Sequence, residues 1–577
     1  MLEGNETRIL SRRQCVGLIS VPLAAAVLSS MPAAVAAAAE PEAQRQANDL
    51  GTRTYNIRDF GAKGDGTTLD TQAVQAAIDA CTKDQGGIVL VPAGVFVIGT
   101  IELKSNVTLR IASQGKLLGS GDGKQYHAAD EIPLSGDSTL GDGNWGLIYA
   151  VNSTNITIEG PGTIDGNGKQ FFPPQRGALP PAGLHGNQRP YLLLFYRCKN
   201  LVIRNIDLFE SGYHAVRVIQ TQYAHMDALH IHNRVTHNND GFHFISCQYV
   251  TVSNCNVESQ DDACALFGSC KFITVTNCTF STRWSVFRFG GGVAENVAVS
   301  NCVIHQVYGC PIKIHCPPGS RMENMSFSNL IMSDVTGPID ISVGPTQRRA
   351  STRPSSRPAA ESDEPVKREP GVVRNIAFSN IHGTVTTDPQ PLADVLFNST
   401  YNSGEKHSCI TINSVGDSVV ENISFNDIHL TFGGGGTAED AARRDLPPYS
   451  GEYFMLGPMP AYGFYARNTR GITLQNIRFQ VASPDLRPAL ILDHVEDVAV
   501  NGFSVQGNAD AESVVRMIDT KQTLLTAARL LTPASVFLRV EGGESSGIVI
   551  DGGDLTKAAK PLDFAGGADS NAVKLRA

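Results

Sequence analysis

The segment Tyr249-Val250-Thr251-Val252-Ser253-Asn254-Cys255 recurs as Phe272-Ile273-Thr274-Val275-Thr276-Asn277-Cys278 and again as Asn296-Val297-Ala298-Val299-Ser300-Asn301-Cys302. Its asparagine advances by 23 positions and then by 24. A period of about 20 to 50 residues is typical of stacked repeat architectures. Within each copy apolar residues alternate with small polar ones, which indicates strands with one buried face. Weaker copies flank this stretch at 202–206, 325–329, 376–380, 423–426 and 472–476.

One copy of this repeat is too short to bury its apolar face alone. If the chain coils so that each copy pairs with the next, the inward side chains form a shared core. Asparagine suits the bend after each strand, because it tolerates left-handed backbone angles and its amide can bond to a stacked asparagine. The cysteines at 255, 278 and 302 are then expected to form an internal column. The sequence therefore predicts an all-β fold, a right-handed parallel β-helix.

Three aspartates lie about one repeat apart. Asp240 belongs to Asn238-Asn239-Asp240-Gly241-Phe242-His243, and Asp261 and Asp262 belong to Gln260-Asp261-Asp262-Ala263-Cys264. A coil of about 23 residues places such positions roughly 4.8 Å apart, provided that a bend lets the adjacent pair face one way. Mutual repulsion then raises the pKa of at least one carboxyl, so that one group stays protonated while its neighbours ionise.

These aspartates have a simpler interpretation as solvated turn residues, which is common in segments rich in Asn, Asp and Gly. Their occurrence on adjacent predicted coils favours acid–base chemistry instead.

From about residue 54 into the 490s the chain resembles the polygalacturonase family, glycoside hydrolase family 28. The likeness opens with Phe60-Gly61-Ala62-Lys63-Gly64-Asp65-Gly66 and continues through 70–81 and 86–96, stretches shared by many pectin-active β-helices of the pectin-lyase-like type. The Asn-x-Asp-Gly and Asp-Asp motifs distinguish the polygalacturonase family from other β-helices with this opening. The resemblance implies that Asp261 is the general acid, and that Asp240 and Asp262 orient and deprotonate the attacking water.

The chain departs from this family in two motifs. The usual Gly-His-Gly falls at 282–290, where no histidine occurs, and Arg-Ile-Lys appears as Pro311-Ile312-Lys313. In polygalacturonases these basic residues grip the galacturonate at the cleavage point. The departure is similar to branches of the family that act on rhamnogalacturonan or other glycosides.

Other basic side chains are expected to replace the missing positive charge, since Arg pairs well with a carboxylate. The alternative for each of them is a solvated outer face. His315 belongs to this group of candidates. The expected substrate-binding residues are Asn238, His243, Arg283, Arg288 and Lys313.

Length and composition are compatible with a large secreted enzyme. The 577 residues include 42% hydrophobic residues and 56 glycines, which allow a large core with many turns. A single β-helix domain from 40 to 577 needs no division into smaller domains. The net charge of −9 argues against nucleic acid as a partner. We expect a monomer whose partner is a polysaccharide or oligosaccharide substrate.

Residues 1–39 have the pattern of a twin-arginine signal peptide. Ser11-Arg12-Arg13-Gln14-Cys15-Val16 precedes an apolar run from 16 to 28 and small residues through Ala39. The run is broken by Pro22 and is too short to span a membrane. We expect export of the folded protein to the periplasm or the medium, without membrane attachment after the signal is removed. The alternative is a disordered, alanine-rich tail.

The twelve cysteines permit disulfides in an exported chain, and Cys310 and Cys316 are a possible local pair. The repeat cysteines, in contrast, occupy positions suited to buried thiols. No CxxC pairing of the kind used by zinc sites is present, and the histidines at 230, 232, 237 and 243 fit no standard metal spacing. No metal or cofactor is expected.

Three segments outside the repeat complete the prediction. Asp70 is expected to cap a short helix that covers the open first coil. The apolar stripe of this helix is Val74, Ala77, Ile78 and Cys81. A disordered insertion is expected at about 345–370, where Arg, Pro, Ser and Glu crowd together. A second interruption, 433–465, is rich in aromatic residues and offers sugar-stacking surface.

Together these features predict an exported glycoside hydrolase that cleaves a pectic or related plant polysaccharide, of galacturonan or rhamnogalacturonan type, by an inverting mechanism. Inversion needs space for a water between acid and base, with carboxyl groups about 6.5–9.5 Å apart. One alternative is a calcium-dependent polysaccharide lyase, in which the three carboxylates bind Ca²⁺ and Arg283, Arg288 or Lys313 takes the proton. Another is a non-catalytic carbohydrate-binding β-helix.

Overall fold

The computed structural model describes residues 49–134, 142–175, 178–346, 368–395 and 401–576. The expected signal peptide lies outside the described residues, as does most of the expected insertion at 345–370. The following account concerns the compact unit that runs from Leu50 to the C-terminus.

Thirty-six strands of the described chain join in one continuous sheet, and its strand pairs are parallel. The first strands are β1 Thr54–Asn56, β2 Asp65–Leu69, β3 Gly87–Val91, β4 Gly94–Ile98, β5 Ile101–Glu102, β6 Val107–Ile111, β7 Gly115–Gly119, β8 Gly146–Val151, β9 Thr154–Glu159, β10 Thr163–Asp165, β11 Tyr191–Tyr196 and β12 Lys199–Phe209. The middle strands are β13 Val216–Ile219, β14 Gln222–Asn233, β15 Phe242–Ile245, β16 Gln248–Ser253, β17 Asn256–Ser259, β18 Cys264–Phe267, β19 Lys271–Thr276, β20 Thr279–Thr282, β21 Ser285–Gly290, β22 Val293–Val307, β23 Cys310–Cys316, β24 Arg321–Val335 and β25 Ile339–Val343. The last strands are β26 Val372–Val385, β27 Ile410–Ser414, β28 Val419–Phe432, β29 Phe464–Val481, β30 Leu490–Val505, β31 Val515–Ile518, β32 Lys521–Leu530, β33 Ala534–Glu541, β34 Ser546–Asp554, β35 Ala558–Ala565 and β36 Val573–Arg576. The helices are α1 Thr71–Lys83, α2 Ser403–Lys406 and α3 Ala438–Ala442.

The predicted right-handed parallel β-helix is confirmed. Repeat copies stack in register: Val250 of β16 pairs with Ile273 of β19, which pairs with Val297 of β22. Each of these residues is almost fully buried. Burial of one such side chain contributes about 1.5–3 kcal/mol, so the stacked rows supply most of the core. Connections between parallel strands favour the right-handed coil.

The bends after the repeat strands have the expected left-handed backbone. Asn254, Asn277 and Asn301 have φ values of 57°, 56° and 56°. The amide ladder forms further along the solenoid, where Asn329 Nδ2 donates to Asn301 Oδ1 at 3.0 Å and Asn380 Nδ2 donates to Asn329 Oδ1 at 2.9 Å. These side chains therefore hold the corners of the coils at Asn301, Asn329 and Asn380 together.

The cysteines of the described chain are buried free thiols. Cys255, Cys278 and Cys302 form the expected internal column. The possible pair Cys310 and Cys316 is not a disulfide: the Cys310 thiol donates to Ile312 O at 3.1 Å and the Cys316 thiol to Ser320 O at 3.3 Å. Both residues belong to β23, whose extended backbone points the two side chains to separate partners.

The helix α1 packs on the first coil through the predicted stripe, which is fully buried. Asp70 stands at its N-cap position, but its side chain does not cap the helix. The Asp70 carboxylate instead accepts hydrogen bonds from Lys63 N at 2.7 Å and Gly64 N at 2.9 Å. The carboxylate that was predicted to cap α1 therefore stabilises the loop before the helix.

The second interruption lies between β28 and β29 and contains α3 and a 3₁₀ turn, Tyr453–Leu456. It folds back on earlier coils, because Ser450 N donates to Pro345 O at 2.8 Å and Gly451 N donates to Ser342 Oγ at 2.9 Å. Among the described helices, none has the length and apolar character needed to cross a membrane.

Candidate active site

The backbone brings the three aspartates onto adjacent coils. Gly241 N donates to Asp262 O at 2.9 Å, and Ala215 N donates to Asp240 O at 3.0 Å. Residues 214, 240 and 262 therefore form a short row that climbs the solenoid. Asp261 and Asp262 lie in the break between β17 and β18. A bend is expected here from the sequence, because two adjacent residues of a regular strand point to opposite faces.

The loop that holds Asp240 is fixed by Asn239, which is fully buried. The side-chain oxygen Oδ1 of Asn239 accepts hydrogen bonds from Val235 N at 2.9 Å and Thr236 N at 2.6 Å. Its side-chain nitrogen Nδ2 donates to Tyr213 O at 2.6 Å. The glycine of the motif permits close packing, since a Cβ on Gly241 would lie 2.6 Å from Ala263 O. The Asn-Asp-Gly order thus serves the stacking of coils as well as the placement of the carboxyl.

Asp261 faces a cleft with a volume of about 860 Å³. Hydroxyls fix its backbone: Ser259 Oγ donates to Asp261 O at 2.6 Å, and Thr282 Oγ1 donates to the same oxygen at 2.5 Å. The Asn238 amide donates to Asp261 Oδ2 at 3.3 Å, as expected for a cleft residue. The cleft is lined by His237, Asn238, Gln260, Asp261, Trp284, Arg288, Asn402, Glu452, Phe454 and Met455.

The environment of Asp261 favours a carboxyl that holds a proton near neutral pH. Burial and the neighbouring charge of Asp262 raise the pKa of Asp261 to about 7. The guanidinium of Arg288 works in the opposite direction but does not cancel these effects. A carboxyl with a pKa in this range can donate a proton to a leaving group at ordinary pH.

Asp262 has a different environment from its neighbour. Its side chain is 3% exposed, and its Oδ2 lies 2.9 Å from Arg288 Nη1 in an ion pair. Its Oδ1 accepts from Ser285 N at 3.2 Å. Two consecutive aspartates are therefore placed in separate surroundings, one paired with a guanidinium and the other facing the cleft.

Asp240 is buried behind this cleft and is not among its lining residues. Its Oδ2 lies 2.6 Å from His243 Nδ1, and His214 Nε2 lies 3.6 Å from its Oδ1. Burial, followed by the charges of Asp261 and Asp262, raises the pKa of Asp240 well above its ordinary value. Burial lowers the pKa of both histidines. His243, expected to face the cleft, is a buried partner of Asp240, because β15 directs it toward its stacked neighbour His214.

His214, Asp240 and His243 are also the group whose donor atoms could surround a metal ion, since these atoms lie within 4.8 Å of one another. Hydrogen bonds already engage two of the four ring nitrogens, whereas His243 Nε2 has no hydrogen-bond partner among the described residues. Arg217 Nη1 lies 3.1 Å from His214 Nδ1, and Asp240 holds His243 Nδ1. A guanidinium beside the group also opposes a cation, so the arrangement is better described as a buried hydrogen-bonded network.

Arg283 lies away from the cleft surface, contrary to the sequence-based expectation. It is buried in an ion pair with Glu405 of α2, with 2.9 Å between Nη1 and Oε1. Its guanidinium also stacks on Trp284 at 4.6 Å and on Tyr401 at 4.4 Å. The residue therefore supports Trp284 from behind. The expectation failed because Glu405 lies 122 positions later in the chain, in a segment whose place the repeat pattern does not predict.

Glu452 is the site residue that the sequence reasoning missed. It lies in the second interruption, lines the cleft, and pairs with both Lys313 and Arg288. Lys313 is itself 1% exposed and lies behind Glu452. His315 lies 3.4 Å from Ser450 Oγ in the same segment. The aromatic residues of this segment indicated sugar contact, and Phe454 does line the cleft. No sequence pattern marked Glu452 as a site residue.

Similar proteins are known for much of this chain. The family model of "Glycosyl hydrolases family 28" matches residues 81–427, which include both aspartate motifs. A polygalacturonase of Malus domestica is 27% identical over 347 residues, covering 58% of this chain and 68% of that protein. An exo-poly-alpha-D-galacturonosidase of Dickeya chrysanthemi is 24% identical over 439 residues, covering 65% and 71%. The solved family 28 exopolygalacturonase of Yersinia enterocolitica matches with a TM-score of 0.56 at 18% identity, covers 78% of each chain, and shares the fold.

Proposed function

Because the chain belongs to the glycosyl hydrolases family 28, we propose that this glycoside hydrolase cleaves a pectic polysaccharide, of galacturonan or rhamnogalacturonan type, with inversion of the anomeric centre. The observation that carries the proposal is the pair of consecutive aspartates in contrasting surroundings. Asp261 faces the cleft with a pKa raised by burial and by Asp262 to about 7. Asp262 is held in an ion pair by Arg288.

In the proposed mechanism Asp261 donates a proton to the glycosidic oxygen as the bond to the leaving group breaks. Asp262 accepts a proton from the water that attacks the opposite face of the sugar. Asp240 is buried against His243, and burial raises its pKa well above its ordinary value, so it is held in the protonated form and we assign it a positioning role in which it fixes the loop. The names of the Malus and Dickeya relatives, which act on polygalacturonate, support a pectic substrate.

The stereochemistry of the product tests this proposal. Proton NMR of the first product formed from a panel of homogalacturonan and rhamnogalacturonan oligosaccharides should show the inverted anomer before mutarotation mixes the two forms. A retained anomer would require a covalent intermediate and would contradict the roles assigned to Asp261 and Asp262.

The surroundings of the basic residues weigh against the lyase alternative. Proton abstraction needs an unengaged base near the carboxylates, yet Arg288 pairs with Asp262, Lys313 with Glu452 and Arg283 with Glu405. The carboxylates of Asp240 and Asp262 are likewise engaged by His243 and Arg288, which leaves no open cage of oxygen ligands in this group. Unsaturated products and inhibition by a chelator would distinguish a lyase.

We also propose export through the twin-arginine route, which carries folded proteins. Two observations support this: the Arg12-Arg13 pattern, and the buried free thiols of the described chain, which suit folding in a reducing compartment. In a bacterial host, Arg12→Lys combined with Arg13→Lys should leave the protein in the cytoplasm, as judged by cell fractionation. Unchanged export of that double variant would argue for another route.

A further inference from the structure

The cations of the cleft already face carboxylates of the protein. Arg288 on β21 and Lys313 on β23 are register partners, one coil apart. Arg288 lies 2.9 Å from Asp262 and 3.6 Å from Glu452, while Lys313 forms its ion pair with the other oxygen of Glu452. Glu452 therefore occupies the position at which a carboxylate would meet both cations.

Glu452 is held in this position from both sides. On one side Gly451 N donates to Ser342 Oγ at 2.9 Å, and on the other the Tyr453 hydroxyl lies 2.7 Å from Thr336 Oγ1. The side chain is still 26% exposed, so it forms part of the cleft wall. Such anchoring means that the carboxylate is present before any ligand arrives, with little freedom to swing away.

The resulting wall has no excess of positive charge. Burial acts to raise the pKa of Glu452, but the charges of Lys313 and Arg288 outweigh it and lower that pKa to about 2. Among the lining residues, Asp261 and Glu452 are acidic and Arg288 is basic, while burial and Arg189 lower the pKa of His237. A uronic acid bound here would bring a further carboxylate beside Glu452 without an unengaged cation to receive it.

The remaining wall is apolar. Trp284 and Phe454 lie with ring centroids 5.9 Å apart, and Met455 lines the same cleft. Aromatic and thioether surfaces suit the C–H face of a pyranose or the methyl group of a deoxy sugar. The charge and the shape of this wall thus favour an uncharged ring.

We propose that the sugar ring bound between Asp261 and Glu452 is a neutral hexose or 6-deoxyhexose, and that Glu452 excludes uronic acids from this position. The inference rests on the proposed function, because it specifies the sugar class within the same cleft. A pectic polysaccharide that contains neutral sugars in its backbone, of the rhamnogalacturonan type, then fits better than an uninterrupted galacturonan.

The test uses D-galactose and D-galacturonate, which differ in charge at carbon 6. Binding is followed in the full enzyme through the indole N–H resonance of Trp284, with isotope-labelled tryptophan. The chain has two tryptophans, and Trp145 does not line the cleft, so its resonance is an internal control. In the wild type the Kd for galacturonate should be no lower than that for galactose. In Glu452→Gln the ratio of the two Kd values should fall about tenfold in favour of galacturonate.

The matched control is Glu439→Gln, in the same segment but exposed and outside the cleft. This variant should keep the wild-type ratio. An unchanged ratio in folded Glu452→Gln, or a wild-type Kd for galacturonate lower than that for galactose at the Trp284 resonance, would overturn the proposal. The wild-type measurement stands even if Glu452→Gln does not fold, since it needs no variant.

These outcomes are separable from failure of the proposed function. The binding ratio needs no turnover, so a protein that cleaves no pectic oligosaccharide but shows the expected shift would retain the inference and lose the proposed activity. Conversely, efficient hydrolysis of pure oligogalacturonides with inversion, together with a wild-type preference for galacturonate, would keep the hydrolase and reject the role given to Glu452.

Discussion

Asp261→Asn should lower kcat by about 10²- to 10⁴-fold, because the amide occupies the same volume but cannot donate the proton that the leaving group requires. The fold should tolerate the change. The Asp261 backbone is held through its carbonyl oxygen by Ser259 and Thr282, and neither hydrogen bond involves the altered side chain. The measurement is kcat on the best substrate of the pectic panel, beside the thermal unfolding midpoint of both proteins.

The pH dependence of the wild type is the internal check on this assignment. The proposed mechanism requires the acid form of Asp261, so kcat/KM should fall about tenfold per pH unit once pH rises above the pKa of Asp261, which burial and Asp262 raise to about 7. The residual activity of Asp261→Asn should lack this alkaline decline. A wild-type profile that stays level between pH 6 and pH 9, or a variant with full turnover, would place the acid elsewhere.

The stability of the folded protein should decrease with rising pH because of Asp261. Because the fold raises the pKa of Asp261 above its ordinary value of 3.8, the folded state binds the proton more tightly than the unfolded chain. The contribution of this group to stability therefore declines as pH rises from about 4 through 7. At pH 8 the Asp261→Asn variant should consequently melt no lower than the wild type.

Asp262→Asn should reduce both turnover and stability. Loss of the proposed base lowers kcat by about 10²- to 10⁴-fold. The same change breaks the ion pair with Arg288, in which the carboxylate is 3% exposed, and removal of one partner from such a pair costs about 3–5 kcal/mol. We expect the lower end of that range, since Arg288 retains Glu452 at 3.6 Å. Thermal unfolding at neutral pH should show a lower midpoint than for Asp261→Asn.

The comparison of Asp261→Asn with Asp262→Asn separates the contribution of the Arg288 ion pair to stability from the contribution of each carboxyl group to turnover. If both lose activity while only Asp262→Asn loses stability, the two aspartates have the different surroundings described above. Equal stability of the two variants would contradict the structural role of the Arg288 pair. Retained turnover in Asp262→Asn would show that another group activates the water.

The repeat made the fold predictable from sequence. Alternation of apolar and polar residues and the regular asparagine bend require nothing beyond neighbouring coils, so Val250, Ile273 and Val297 could be placed in one row before any coordinates. The adjacency of Asp240 to Asp262 followed from the same period. Local hydrogen bonding was harder: Asp70 lies at the helix start as expected, yet its carboxylate serves the preceding loop.

The charges around the site were not predictable in the same way. Arg283 meets Glu405, and Lys313 meets Glu452, in each case more than 100 residues away and in segments that do not follow the repeat. Periodicity gives the position of a side chain along the solenoid, but it contains no information about where an irregular loop returns. Of the basic residues named from the sequence, Arg288 lines the cleft, Lys313 lies behind Glu452 and Arg283 is buried against Glu405. The acidic partners of these residues were not predicted.

The segment that carries Glu452 does not take part in the stacking of coils, and this separation has a consequence for diversification. Replacement of one loop could change the chemical selectivity of the enzyme while the solenoid and the proposed proton-transfer pair stay intact. Grafting other loops at 433–463, or varying residue 452 alone, is accordingly a direct route to relatives with altered sugar preference on an unchanged scaffold.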